Sequence, residues 1–151
     1  MKINIYTDGS AKGNPGKGGL GVILISGKHY KEISQGFRYT TNNRMELLAV
    51  IVGLEHLKNN DSEVLVYSDS KYVVDSVEKK WVFQWEKKHF KGKKNIDLWK
   101  RFLTIYNKHK VTLNWVKGHA GHPENERCDY LAVEASEQPQ LLVDEGYEKP
   151  K

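Results

Sequence analysis

Arg44-Met45-Glu46-Leu47-Leu48-Ala49-Val50-Ile51-Val52-Gly53-Leu54-Glu55-His56-Leu57, followed after a short polar break by Val64-Leu65-Val66-Tyr67, is the stretch that decides the fold class. From Arg44 to Leu57 apolar residues lie nearly all round a helical period, which predicts a helix packed against a sheet and other helices. Val64–Tyr67 is a short continuous apolar run, the kind of strand buried on both faces of a sheet.

Upstream, Met1 to Tyr39 reads as three strands. Ile3 and Ile5 alternate with polar neighbours, and a glycine-rich turn from Gly9 to Gly19 leads into Leu20–Ile25. Ser26-Gly27-Lys28 reverses the chain into a strand holding Tyr30, Ile33, Phe37 and Tyr39, which completes an antiparallel meander. Downstream, helices are predicted around Lys71–Val77, Lys80–Lys88 and Ile96–Asn107, then a strand at Val111–Val116. Pro123 suits the first turn of a last helix reaching Ser136. A meander followed by β-α-β alternation predicts a mixed α/β sheet with helices on its faces. The reading makes residues 1–137 one domain with a basic protrusion at about 79–95, and makes 138–151, with Pro139, Gly146 and Pro150, an irregular tail.

The 151 residues are one domain by length, enough to bury about 70% of the unfolded surface. With 38% hydrophobic and 28% charged residues, the balance excludes a disordered chain. No apolar run approaches the ~18 residues of a membrane span. The alternating N-terminus reads as strand rather than signal peptide. A single cysteine, Cys128, excludes an internal disulfide and a zinc site built on paired thiolates, so the expected compartment is a reducing cytoplasm.

The net charge of +5 is concentrated. Lys79, Lys80, Lys87, Lys88, Lys91, Lys93 and Lys94 fall in one short segment, opposed only by Glu86 and threaded with Trp81, Phe83, Trp85 and Phe90. Lysines release counterions from a polyanion, and rings stack or pack beside it. So many like charges repel unless a polyanion benefits, which favours a nucleic-acid face over a merely solvated helix. The tryptophans taken alone read as packing, at i and i+4.

Four acids are candidates for chemistry. Asp8 ends the first strand, and Asp69 stands just past Val64–Tyr67. If those strands are neighbours, both carboxylates meet at one sheet edge, where α/β proteins favour ligands. Each has a plain structural alternative: Asp8-Gly9 as a turn pair, Asp69 as a helix N-cap. Glu46 is the odd polar residue in an apolar helix, with a capping box to Asn43 as its alternative. Asp129 lies in the last predicted helix. Converging, the four would repel unless a cation joined them. Oxygen ligands select Mg²⁺ or Mn²⁺ over zinc, and with a polyanion such a site suits two-metal phosphodiester hydrolysis. Gly13–Gly19 lacks the P-loop spacing, having Ala11 and Gly18 where glycine and Ser or Thr are required. His119, in a glycine-flanked loop, is either a proton shuttle or an idle surface histidine.

Four longer motifs then stand out: Tyr6-Thr7-Asp8-Gly9-Ser10; Thr41-Asn42-Asn43-Arg44-Met45-Glu46-Leu47; Tyr67-Ser68-Asp69-Ser70; and Trp115-Val116-Lys117-Gly118-His119-Ala120-Gly121-His122 with Pro123 to Asp129. Together, from about Ile3 to Tyr147, they resemble ribonuclease H type 1 in its bacterial form. The resemblance implies a ribonuclease H-like fold, a five-stranded mixed sheet flanked by helices. It implies an endoribonuclease for the RNA strand of RNA–DNA hybrids that uses two Mg²⁺ ions, with Mn²⁺ as a substitute, and leaves 5′-phosphate and 3′-hydroxyl ends.

By matching position, Asp8, Glu46, Asp69 and Asp129 resemble the family's catalytic metal ligands, and His119 its mobile loop histidine, for proton transfer or product release. Gly9, Asn14, Asn42 and Asn43 match hybrid contacts. Thr41 and Gln84 match a DNA-phosphate pocket that often has Asn in place of Gln84, and Lys71 stands where a Gln commonly touches the RNA. The protrusion with Trp81, Trp85, Lys87 and Lys88 matches the DNA-strand grip, although it is shorter between Phe90 and Asn95. The implied protein is a monomer with no obligate protein partner and no membrane. A transposase-like nuclease of the same superfamily is the rival enzyme; the asparagines near Glu46 and the protrusion speak against it. A non-catalytic hybrid-binding module is the rival from another class, and retention of all four acids speaks against it.

Overall fold

The computed structural model describes residues 2–118 and 121–149. Three strands, β1 (Lys2–Ala11), β2 (Gly16–Ser26) and β3 (His29–Thr40), form the predicted meander. They are followed by α1 (Asn42–Glu55), β4 (Glu63–Ser68), α2 (Lys71–Glu78), α3 (Trp81–Lys87), α4 (Ile96–Tyr106), β5 (Lys110–Trp115), α5 (Pro123–Ser136) and α6 (Glu145–Glu148). The sheet order is β3-β2-β1-β4-β5. β1 pairs antiparallel with β2 and parallel with β4, so the mixed sheet changes sense at its centre. No described helix is long and apolar enough to cross a membrane.

Alternation along the strands divides the core. Ile5, Leu20 and Val22 are fully buried in the main cluster with α1, whose residues from Met45 to Leu54 are buried apart from Glu46. Helix α1 is apolar all round because it touches the sheet on one side and α4 and α2 on others. On the opposite face Tyr6 and Ile23 pack with Cys128 and Leu131 of α5.

Three expectations are corrected. The segment from Gly9 to Gly19 is mostly strand, because β1 runs on to Ala11 and β2 starts at Gly16. Glycines of β2 serve packing: a Cβ at Gly19 would strike the carbonyl of Ala132, and one at Gly21 that of Cys128. Helix α5 therefore rides directly on the β2 backbone. Secondly, β4 is buried on one face only; Leu65 and Tyr67 stay half-buried. Helix α5 covers β1, β2 and β3, leaving Tyr67 to stack on Tyr6 with ring centres 4.9 Å apart. Thirdly, the segment after Gln138 is not irregular throughout. Leu142 bridges Phe37 of β3, and a short helical turn follows.

That turn is anchored by charge. Asp144, 5% exposed, accepts from the Arg44 guanidinium at 2.7 and 2.9 Å and from the Thr40 hydroxyl at 2.7 Å. Arg44 also reaches Asp97 at the start of α4, at 2.7 and 2.9 Å. One buried guanidinium thus ties α1 to α4 and to the C-terminal segment.

Candidate active site

Asp8 lies inside β1 rather than at a turn, on the face that looks toward α5, and its Oδ1 accepts from the Gly9 amide at 2.9 Å. Glu46 comes from the first turns of α1. That helix approaches β1 closely because Gly9 has no side chain; a Cβ there would collide with the backbone of Met45 and Glu46. Gly9 therefore brings Glu46 to Asp8. Asp69 follows β4, parallel and adjacent to β1, so both carboxylates emerge at the same sheet edge. Ligand oxygens of Asp8, Glu46 and Asp69 all lie within 4.8 Å of one another. Asp129, from α5, lines the same cleft with Asp8, Asp69, Lys117, Gly118, Asn125 and Glu126.

The plain alternatives for these acids fail on geometry. Ser70, not Asp69, caps α2, its hydroxyl accepting from Val73 at 3.2 Å. Thr41, not Asn43, caps α1, accepting from Arg44 at 3.3 Å, and no capping box forms with Glu46.

Electrostatics mark the cluster as incomplete without a cation. Burial, then the nearby Asp69 and Asp129 charges, push the Asp8 carboxyl up to about 8. Burial followed by Asp8 and Asp69 holds Glu46 well above the ordinary carboxylate range. Glu46 Oε1 and Asp69 Oδ1 are buried with no hydrogen-bond partner among the described residues. Unpartnered anionic oxygens at this spacing suit a hard divalent cation, which supplies the missing positive charge and takes oxygen ligands.

The remaining expected site residues arrange around this cleft and beyond it. Asn42 and Asn14 tie the β1–β2 loop to α1: Asn42 Oδ1 accepts from the Ala11 amide, and Asn14 Oδ1 from the Asn42 amide at 3.0 Å. Asn43 is exposed beside them. Lys71 begins α2, its ammonium 4.7 Å from the ring centre of Trp115, whose indole donates to the Asp69 carbonyl at 3.0 Å. Trp81, Gln84 and Lys87 are exposed on α3, and Lys88 is exposed at its C-cap. Trp85 packs edge-on against Trp99 at 5.9 Å, while Lys93 covers it at 4.9 Å. His119 lies outside the described residues. Gly118, its neighbour, sits against Asp69: a Cβ there would be 3.0 Å from Asp69 Oδ2.

Sequence reasoning passed over Arg44, Lys117, Asn125 and Glu126 as individuals. Asn125 stands one helical turn before Asp129, a signal that was available once Asp129 was singled out.

Fold and cleft together define an α/β protein that gathers carboxylates able to hold a metal ion at the junction of two parallel strands. A family model described as RNase H matches residues 1–137. The ribonuclease H of Desulforamulus reducens is 55% identical, over 95% of this chain and 92% of its own length. That of Rippkaea orientalis is 52% identical, over 97% and 93%. Among solved structures, LC9-RNase H1, described as a type 1 RNase H with the type 2 active-site motif, has a TM-score of 0.81 at 33% identity, covering 98% of this chain and 79% of that one. LC11-RNase H1 in complex with an RNA/DNA hybrid has a TM-score of 0.67 at 29% identity, covering 88% and 95%. The chain belongs to the ribonuclease H family, in its type 1 branch.

Proposed function

We propose that this protein is an endoribonuclease that hydrolyses the RNA strand of RNA–DNA hybrids with Mg²⁺ or Mn²⁺, leaving 5′-phosphate and 3′-hydroxyl ends. The observation that carries the reading is the convergence of Asp8, Glu46 and Asp69 within 4.8 Å, with two of their oxygens buried and unpartnered. Family membership specifies the substrate. The hybrid bound by LC11-RNase H1 supports the same assignment here.

When bound, the divalent cations supply an activated water and stabilise the departing 3′-oxygen. Asp8, Glu46, Asp69 and Asp129 hold them. The Gly9 backbone, together with the loop that Asn14 and Asn42 tie to α1, presents an edge to the hybrid. Recognition combines 2′-hydroxyl contacts on the RNA strand with a phosphate grip on the DNA strand, since the 2′-hydroxyl is what distinguishes the two. Lys71 beside Asp69 contacts the RNA strand electrostatically, and the α3 lysines with Gln84 and Thr41 grip DNA phosphates. His119 moves a proton or speeds product release, a smaller contribution than that of the metals.

Labelled hybrid, duplex DNA and duplex RNA, each incubated with and without Mg²⁺, test this directly. The RNA of the hybrid is cut only with the metal, and Asp69→Asn removes that activity while leaving the fold intact. Hybrid bound but never cut would instead indicate the non-catalytic module. Equal cleavage of duplex DNA would indicate the transposase-like nuclease.

A further inference from the structure

Asn125 lines the acidic cleft on the α5 side, one turn before Asp129. Its Oδ1 is buried and has no donor within reach among the described residues, the condition shared by Glu46 Oε1 and Asp69 Oδ1. A buried acceptor left without a donor is destabilising, so its persistence in a folded protein points to a partner that arrives later.

The ordinary role for this position is not played. Asn125 is the third residue of a helix whose N-cap is His122, where a side chain often returns a bond to the cap. Helix α5 has no side-chain cap hydrogen bond. Nor does any of the surrounding carboxyls give this oxygen a hydrogen bond among the described residues. Lys117 on the far rim is exposed and gives no bond to it.

We propose that Asn125 is a positioning residue for the divalent cation: its Oδ1 accepts from the hydration shell of a cation held by the carboxylates. Mg²⁺ keeps several of its waters when bound to proteins, and those waters are donors. A neutral carboxamide suits the role because it adds an acceptor without adding to the repulsion among four acids. Asn125 thus orients the hydrated cation from the α5 side, while the carboxylates supply the charge. The inference rests on the cleft being a cation site.

The experiment measures Mn²⁺ binding to the hybrid-free protein by calorimetry, together with the metal-induced rise in melting temperature, for wild type, Asn125→Leu and Asn125→Asp. Asn125→Leu weakens Mn²⁺ binding roughly 10-fold, the usual scale for a partner that orients rather than ligates. In EDTA the same variant is at least as stable as wild type, since it removes an unpartnered buried acceptor. Asn125→Asp keeps the acceptor and binds Mn²⁺ at least as tightly as wild type. Should Asn125→Leu fail to fold, Asn125→Ser, too short to reach, carries the same expectation.

Unchanged Mn²⁺ affinity in these shortened or apolar variants, or lost EDTA stability with an unchanged metal-induced rise, overturns the assignment and makes Asn125 a structural residue. Wild type that binds no Mn²⁺ overturns the cation site itself, a result distinguishable from the first.

Discussion

Asp8 shows how one residue can be placed against its own stability. An ordinary aspartate titrates near ~4, whereas burial and two neighbouring acids push this one up to about 8. Between those values the native state binds more protons than the unfolded chain, so stability falls as pH rises. In EDTA the wild type is therefore expected to lose stability from pH 4 toward 8, with Glu46 adding to the trend. Asp8→Asn removes part of this cost. At pH 8.5 in EDTA it should exceed wild type by at least about 1.4 kcal/mol, the equivalent of one pKa unit, with little difference at pH 4. Urea titrations at the two pH values check this, and a variant less stable at pH 8.5 would refute the repulsion. The same variant should lose metal-dependent cleavage. The four acids were legible as candidates because their motifs resemble a family. Taken alone, Asp8 reads first as a turn residue and Asp69 as a helix cap, and only the tertiary placement of these carboxylates separates the alternatives.

Two helices supply what surrounds the Asp8, Glu46 and Asp69 cluster: α5, which brings Asp129, and α3, around whose ends the lysines gather. Helix α5 rests on glycines of β2, with a Cβ at Gly21 meeting the Cys128 carbonyl and the Leu131 side chain. Gly21→Val should lift α5 and cost at least about 2 kcal/mol, in the range of overpacked cores. Because Asp129 moves with the helix, cleavage should fall by more than the unfolded fraction explains. Single-turnover rates under fully folded conditions measure the excess.

At the start of α3, lysine ammonium groups lie over aromatic rings, Lys79 5.3 Å from Trp81 and Lys80 5.6 Å from Phe83, so rings and charges form one surface. Replacing Lys87, Lys88, Lys91 and Lys93 with Ala should weaken hybrid binding in Ca²⁺ and flatten its salt dependence by about 0.9 per lost phosphate contact. The rate at saturating hybrid should hardly change. An unchanged slope would leave these lysines a solvated face. Their clustering was plain in the sequence, whereas the split between exposed Trp81 and packed Trp85 depends on where Trp99 arrives.

At the scale of the whole molecule, the Arg44 network joins segments that are far apart in sequence. The Arg44 side chain is 3% exposed and that of Asp144 6%, so removing either leaves a buried charge short of its partner. Asp144→Ala should cost about 3 kcal/mol, the low end for a broken buried pair because Asp97 remains. Deleting residues 138–151 should cost at least as much, since Leu142 is lost as well. Replacing Arg44 and Asp144 together with apolar residues should restore much of the loss. Urea denaturation of the three variants gives the comparison. A loss below about 1 kcal/mol for Asp144→Ala would mean that the network behaves as an exposed ion pair.

Local pattern alone determined the element order, the antiparallel meander and the buried character of α1, because hydrophobic periodicity is written residue by residue. Motif resemblance added the family and the identity of the acids. Only the tertiary structure decided that Gly19 and Gly21 belong to a strand serving as a helix seat, and that β4 is covered on one side only. It alone also shows Arg44 holding the C-terminal segment and Asn125, in the lining of the acidic cleft, with a buried acceptor that has no partner among the described residues. Each of these depends on which chain segment arrives opposite a given residue, and that partner is remote in sequence, 100 positions away for Arg44 and Asp144, where no local period can register it.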